Sequence, residues 1–145
     1  MAISEVIEFV GLITAVITII FTQVNAHRQN KMLLKQSRAL MFAEYTRRYQ
    51  EILLRMPNTI YSGLFSTTDQ EAMIYMRLYF DLCSEEYWLW KEGIIPEKTW
   101  QIWLEGMQIT FNRKPFFIAW NFLGGMYDPD FSKYFRINVV EWNKK

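Results

Sequence analysis

The chain has 145 residues, enough for one domain and an appendage and too few for two ordinary domains. Its 6 Trp, 8 Tyr and 11 Phe sit in a composition that is 51% hydrophobic, which excludes a disordered polypeptide and calls for a large buried area or a surface against something apolar. A formal net charge of +1 argues against a strongly basic nucleic-acid binder, and a single cysteine excludes an internal disulfide and suits a reducing cytosol.

From Phe9 to Val24 no residue is ionisable. The run is Leu, Ile, Val and Phe diluted by Gly11, Ala15, Gln23 and the threonines at 14, 18 and 22. Ten large apolar side chains at about −0.3 to −0.6 kcal/mol each give roughly −3 to −6 kcal/mol of insertion energy. Extended to Ala2 and Ala26, the segment reaches the ~20 residues that a bilayer requires. A soluble core helix would carry a polar face, whereas Phe9 to Phe21 is apolar all round apart from Thr and Gly. A cleaved signal peptide would open on a positive charge, whereas Glu5 and Glu8 come first. The expectation is a retained transmembrane anchor over residues 1–26.

The flanks predict its orientation. His27, Arg28, Lys31, Lys35 and Arg38 follow the apolar run with no acid before Glu44, and only Glu5 and Glu8 precede it. The positive-inside rule places the short N-terminus outside and the rest in the cytoplasm, with Arg28, Lys31, Lys35 and Arg38 against anionic headgroups. Ser4, Glu8, Gly11, Ala15, Thr18, Thr22, Asn25 and Gln29 recur at alternating steps of four and three. That spacing puts small and polar side chains on one stripe, with Glu8, Gly11, Ala15, Thr18 and Thr22 as the expected packing face. On such a face backbones approach and hydroxyls bond across to a second copy or another subunit; chance placement of common membrane residues is the alternative.

No Pro or Gly occurs between Leu12 and Met56, so the anchor is expected to run on as one long helix through a basic juxtamembrane stretch, residues 27–57. Phe42, Tyr45, Tyr49, Ile52 and Met56 mark its distal apolar face. Pro57 and the turn-rich PNTIYSGLFSTT break it and open a cytoplasmic helical domain, residues 58–145. Thr68-Asp69-Gln70-Glu71 reads as a capping box. In the helix it opens, Met73, Met76, Phe80, Cys83, Tyr87 and Trp90 fall at three–four steps, and Gly93 closes it. Pro96 restarts the chain at a first-turn position, ahead of Trp100, Trp103, Leu104, Met107 and Phe111. Pro115 opens an aromatic helix over Phe116 to Leu123, ended by Gly124-Gly125. Asp128-Pro129 caps a last helix over Asp130 to Trp142, with Phe131, Tyr134, Phe135 and Trp142 inward. Ile137 to Val140, INVV, is the one candidate for part of a strand. The fold class is all-α: an N-terminal transmembrane helix continuing into a small helical bundle.

No reactive constellation emerges. His27 has no second histidine to complete a triad or a metal site, and no Gly-rich phosphate loop precedes a helix. Cys83 lies on an apolar stripe and reads as a small core hydrophobe. Asp81, Glu85, Glu86 and Glu92 share one helix, but the Glu-x-x-His of di-iron bundles is missing and Arg77 lies four before Asp81, so surface pairing explains them. The rings of YWLWKEG and of Trp100 and Trp103 lack the interleaved Arg and Lys of a base-stacking platform. They read as core, with Trp88, Trp90, Trp100 and Trp103 as the rings from which a partner surface would be drawn.

The stretch Tyr79 to Met107, followed by Pro115-Phe116 and Ala119-Trp120, resembles a family of small bacterial and phage single-pass membrane proteins with a cytoplasmic helical domain of unknown function. Gly93 to Pro96 matches that family's Gly-x-Ile-Pro/Asp turn, Trp100 and Trp103 its Trp-x-x-Trp helix, and Pro115 to Trp120, less closely, its Pro-x-Phe-x-x-Ala-Trp segment. The resemblance implies the layout and a bacterial inner-membrane location, and transfers no active site.

The expectation is therefore a non-enzymatic membrane protein without catalytic residues, cofactor or metal. It meets lipid, its own copies or a larger membrane complex, and no nucleic acid. Two alternatives stand beside it: a regulatory or phage-defence component sensing membrane or protein signals, and a small enzyme using Asp81, Glu85 or Cys83.

Overall fold

The structure is a computed structural model that describes residues 3–142. Ala2, the expected outer limit of the anchor, and the last three residues of the expected helical domain lie outside the described residues. Every regular element among the described residues is helical, as the patterning predicts. The main helices are α1 (Ile3–Arg55), α2 (Gln70–Lys91), α3 (Glu97–Phe111), α4 (Lys114–Leu123) and α5 (Pro129–Phe135). Short 3-10 turns cover Asn58–Ile60 and Gly124–Met126.

The chain divides into two compact units, Met1–Leu40 and Met41–Lys145. This division lies inside α1, upstream of the boundary expected at Pro57. The reason is packing: Met41, Tyr49, Ile52 and Leu53 lie against the aromatic core, so the last turns of α1 belong to the bundle.

In the first unit α1 contains a segment long and apolar enough to cross a membrane, with a mean hydropathy of 2.1 and 0% of that window buried. The hydroxyls of Thr14, Thr18 and Thr22 donate to the carbonyls of Val10, Thr14 and Thr18, each at 2.8 Å. Each threonine thus satisfies its own donor within the helix, which lowers the cost of carrying hydroxyls in an apolar run.

The second unit is built around rings. Tyr79, Phe80, Trp100, Phe116, Phe131 and Phe135 are almost completely buried. Phe80 meets Trp120, Tyr127 and Phe135 edge-on at 5.1, 6.5 and 5.9 Å between centroids. Trp100 stacks on Trp90 at 5.0 Å, and its indole N–H donates to the Tyr134 hydroxyl at 3.0 Å. Edge-to-face and offset pairs of this kind add about 0.5–1.5 kcal/mol each beyond their burial.

Local chemistry sets the boundaries. Asp69, rather than Thr68, caps α2: its carboxylate accepts from the Ala72 N–H at 3.1 Å and from the Thr59 hydroxyl at 2.9 Å. The Thr68 hydroxyl is engaged with Ser66 at 2.8 Å, which shifts the cap by one residue. Gly93, at φ +69°, ends α2 in a left-handed conformation that a side chain would strain. Pro96 is the cap of α3 rather than its first residue. Asp128 caps α5 ahead of Pro129, accepting from the Asp130 and Phe131 N–H groups at 2.8 and 3.3 Å. Gly124 keeps right-handed dihedrals and is needed for closeness instead: an added Cβ would lie 2.7 Å from the Trp120 indole.

Two expectations fail at the C-terminal end. The INVV segment is no strand; Arg136–Val140 forms a π-helical turn in which the Glu141 N–H donates to the Arg136 carbonyl at 3.0 Å. The widened turn buries Val139 and lets Asn138 bond twice, from its amide to the Tyr134 carbonyl and through its carbonyl to Gln108. Trp142, expected inward, follows the π turn and is 43% exposed.

Candidate functional site

Three places carry the residues singled out by sequence. The first is the small-residue stripe of the anchor. Glu8, Gly11, Ala15, Thr18 and Thr22 are all exposed, and an added Cβ on Gly11 would meet nothing within 4 Å. The stripe is open along its length, but Thr18 and Thr22 have already given their protons to the helix backbone and can only accept from a neighbouring helix.

The second is the basic collar. Arg28, Lys31, Lys35 and Arg38 are exposed on α1, and none forms an ion pair among the described residues. The ion pairs begin further on: Arg47 with Glu44 and Glu51, and Arg48 with Glu85.

The third is the tryptophan group, which the tertiary structure separates. Trp100 is 1% exposed, so it is a core ring and leaves the expected partner surface. Trp90 is half-buried on Trp100 and donates to Glu97 at 2.7 Å. Trp103 stacks on Phe42 at 5.8 Å with an interplanar angle of 8°. Of the four, Trp88 is the most open to solvent, at 37% exposed. The rings were expected to be mainly core, with a minority of the four exposed for a partner; Trp100 is drawn inward by its bond to Tyr134 and its stack with Trp90.

The carboxylates also part company. Asp81 accepts from the Tyr127 hydroxyl at 2.8 Å. The expected Arg77 partner instead lies with its guanidinium against the Met126 sulfur at 3.3 Å. Glu85 is held by both terminal nitrogens of Arg48, at 2.6 and 3.2 Å, and by the Tyr45 hydroxyl at 3.3 Å. The Arg48 guanidinium keeps the Glu85 carboxyl below the usual carboxylate range. Among the described residues no group of three or more His, Cys, Asp or Glu side chains could hold a metal ion.

Sequence reasoning missed Glu86. It was counted with the surface acids, yet it is 6% exposed and lines a cavity of about 210 Å³ in the second unit. Residues of α1, α2 and α3 form the walls, with Phe42, Tyr45, Tyr49 and Trp103 among the rings. Tyr79, Cys83 and Glu86 stand at steps of four and three on α2, so one helical stripe delivers a phenol, a thiol and a carboxyl to one cavity. That position on the Phe80–Cys83–Tyr87 stripe was the signal that could have found Glu86.

Burial raises the Glu86 pKa to about 8, opposed by the Arg48 charge and reinforced by Glu85. Burial likewise pushes the Cys83 thiol well above its ordinary range, and the neighbouring Glu86 adds to this. A thiol so shifted is a poor nucleophile. The Tyr79 hydroxyl is fully buried; among the described residues it makes no hydrogen bond to oxygen or nitrogen and has only the weakly polar Cys83 thiol beside it.

Comparison with protein-family models, curated proteins and solved structures returns no match for this chain.

Proposed function

We propose that this chain is a non-enzymatic single-pass protein of the bacterial inner membrane whose cytoplasmic helical domain serves as an interaction module, within its own oligomer or a larger membrane assembly. The observation that carries the reading is the first unit: a long apolar helical segment, none of it buried, with no ionisable residue from Phe9 to Val24 and with its threonine hydroxyls satisfied internally. In water such a surface is an association liability, while in hydrocarbon it needs no cover. The collar of Arg28, Lys31, Lys35 and Arg38, which forms no ion pair among the described residues, supports an N-terminus-out orientation, because such cations are free to meet anionic headgroups. The open stripe at Gly11, Ala15 and Thr18 supports helix-to-helix packing through backbone approach. The Cys83 thiol, pushed well above its ordinary range by burial, does not support a thiol-dependent enzyme.

The test is topological. A cysteine at Ser4 is expected to react with a membrane-impermeant maleimide in intact cells, and one at Ser37 only after lysis. Cysteines at Gly11, Ala15 or Thr18 are expected to crosslink within the membrane. Labelling of Ser37→Cys in intact cells, or recovery of the whole product in the soluble fraction, would overturn the reading.

A further inference from the structure

The cavity lined by Glu86 presents a combination that the membrane reading does not use. Its volume, about 210 Å³, exceeds the ~150 Å³ of an apolar cavity known to admit a benzene ring, so a six-membered ring with a short arm fits. Aromatic residues from separate helices line it: Phe42, Tyr45 and Tyr49 from α1, Tyr79 from α2, and Trp103 from α3. Its polar groups are the Glu86 carboxyl, the Cys83 thiol, the Tyr79 hydroxyl and the Thr46 hydroxyl, while the Tyr45 and Tyr49 hydroxyls are engaged with Glu85 and Thr110.

Charge decides what such a cavity takes. From α1 the charged and titratable groups facing Glu86 are Arg48, Tyr45 and Tyr49, and from α2 they are Tyr79, Cys83 and Glu85; the α3 wall brings no charge. The one cation in that set, Arg48, is committed to Glu85 through two nitrogens and lies over the Tyr45 ring at 5.1 Å. An anion entering the cavity would find no free positive partner and would meet a carboxyl. A cation would find aromatic rings on several sides, whose quadrupoles attract positive charge, and a carboxyl to pair with.

We propose that this cavity binds a small organic ammonium compound, with its apolar body among the rings of Phe42, Tyr49 and Trp103 and its cationic head beside Glu86. The proton balance follows. Glu86 holds its proton at neutral pH in the empty cavity, since burial lifts its pKa to about 8. The entering ammonium stabilises the carboxylate, the Glu86 proton leaves to solvent, and the pair formed is ammonium–carboxylate with no change in the net charge of the cavity. The inference is independent of the topology proposed above, because every group it uses lies in the second unit.

The experiment is calorimetric titration of the full chain in zwitterionic nanodiscs, with empty nanodiscs as reference, using phenethylamine, 2-phenylethanol and phenylacetate as probes of matched shape. Phenethylamine is expected to bind at least about tenfold more tightly than 2-phenylethanol, a difference of about 1.4 kcal/mol, and phenylacetate is expected not to bind. At pH 7 the binding heat of the amine is expected to vary with buffer ionisation enthalpy, reporting release of close to one proton. Glu86→Gln, which preserves shape and neutrality, is expected to abolish the proton release and remove the preference for the amine. Trp103→Leu is expected to weaken the amine several-fold while leaving helicity by circular dichroism unchanged. Equal affinity for amine and alcohol, preference for phenylacetate, no binding of any probe at millimolar concentration, or amine binding without proton release would each overturn the proposal on the unsubstituted protein alone.

Discussion

The two units solve the same problem in opposite ways. The second unit hides its apolar side chains in a shared aromatic interior, whereas the first leaves Ile13, Ile17, Phe21 and their neighbours uncovered along a single helix. Their hydroxyl chemistry differs in step. In the first unit threonines bond back to their own helix at 2.8 Å. In the second, Tyr49 and Thr110, remote in sequence, share a bond at 2.9 Å. Self-contained polarity fits a helix that meets hydrocarbon alone, while cross-helix polarity fixes how a bundle packs.

The comparison is broken most severely by charging the first unit. Ile13→Lys with Ile17→Lys would place two cations mid-segment at about +2.5 to +3.5 kcal/mol each, enough to cancel the insertion energy. The full-length product is expected to leave the carbonate-resistant membrane fraction, while the denaturation midpoint of the second unit stays put. The converse break is Phe80→Ala, which removes a ring with edge contacts to Trp120, Tyr127 and Phe135. It is expected to cost about 3–5 kcal/mol in denaturant titration and to leave membrane association untouched.

Proton linkage sharpens the contrast within the second unit. Glu86 has a folded pKa near 8 against an ordinary 4.5, so the unfolded chain loses this proton first. Its contribution to stability is full below pH 4.5 and is lost as pH rises through 8, with a slope on the order of 1.4 kcal/mol per pH unit in that window. Glu44, Glu85 and Asp69 are shifted downward and act oppositely, losing their contribution only as pH falls below the ordinary carboxylate range. Stability measured from pH 5 to 8 is therefore expected to decline for the natural chain and to be nearly flat for Glu86→Gln. The smallest expected effect is at the α2 cap. Asp69→Ala removes the acceptor for the Ala72 N–H and the Thr59 hydroxyl and is expected to cost about 1 kcal/mol, lowering the melting temperature by a few degrees.

Helix punctuation was largely legible in the sequence because it is written in backbone chemistry. Gly93 supplies a positive φ, Asp128-Pro129 a cap with a pre-set first turn, and Pro115 an opening position. The candidate site was legible only in part. Glu86 sits among Glu85, Glu92 and Asp81, and composition cannot tell which carboxyl of a cluster turns inward. The register of α2 against α1 and α3 decides it, sending Glu85 to Arg48 and Glu86 to the cavity. The INVV segment misled for a similar reason. A β-branched run favours an extended chain locally, but burial of Val139 and the bonds of Asn138 outweigh that preference.

By itself, then, the sequence determined the helical class, the apolar N-terminal segment with its basic flank, and most helix ends, because each depends on residues within a few positions of one another. Only the tertiary structure decided that Trp100 is core, that the distal turns of α1 belong to the bundle, that the C-terminal run is a π turn, and that Glu86 lines a cavity with the buried Tyr79. Those outcomes depend on which side chains meet across helices distant in the chain, and on how much desolvation each meeting imposes.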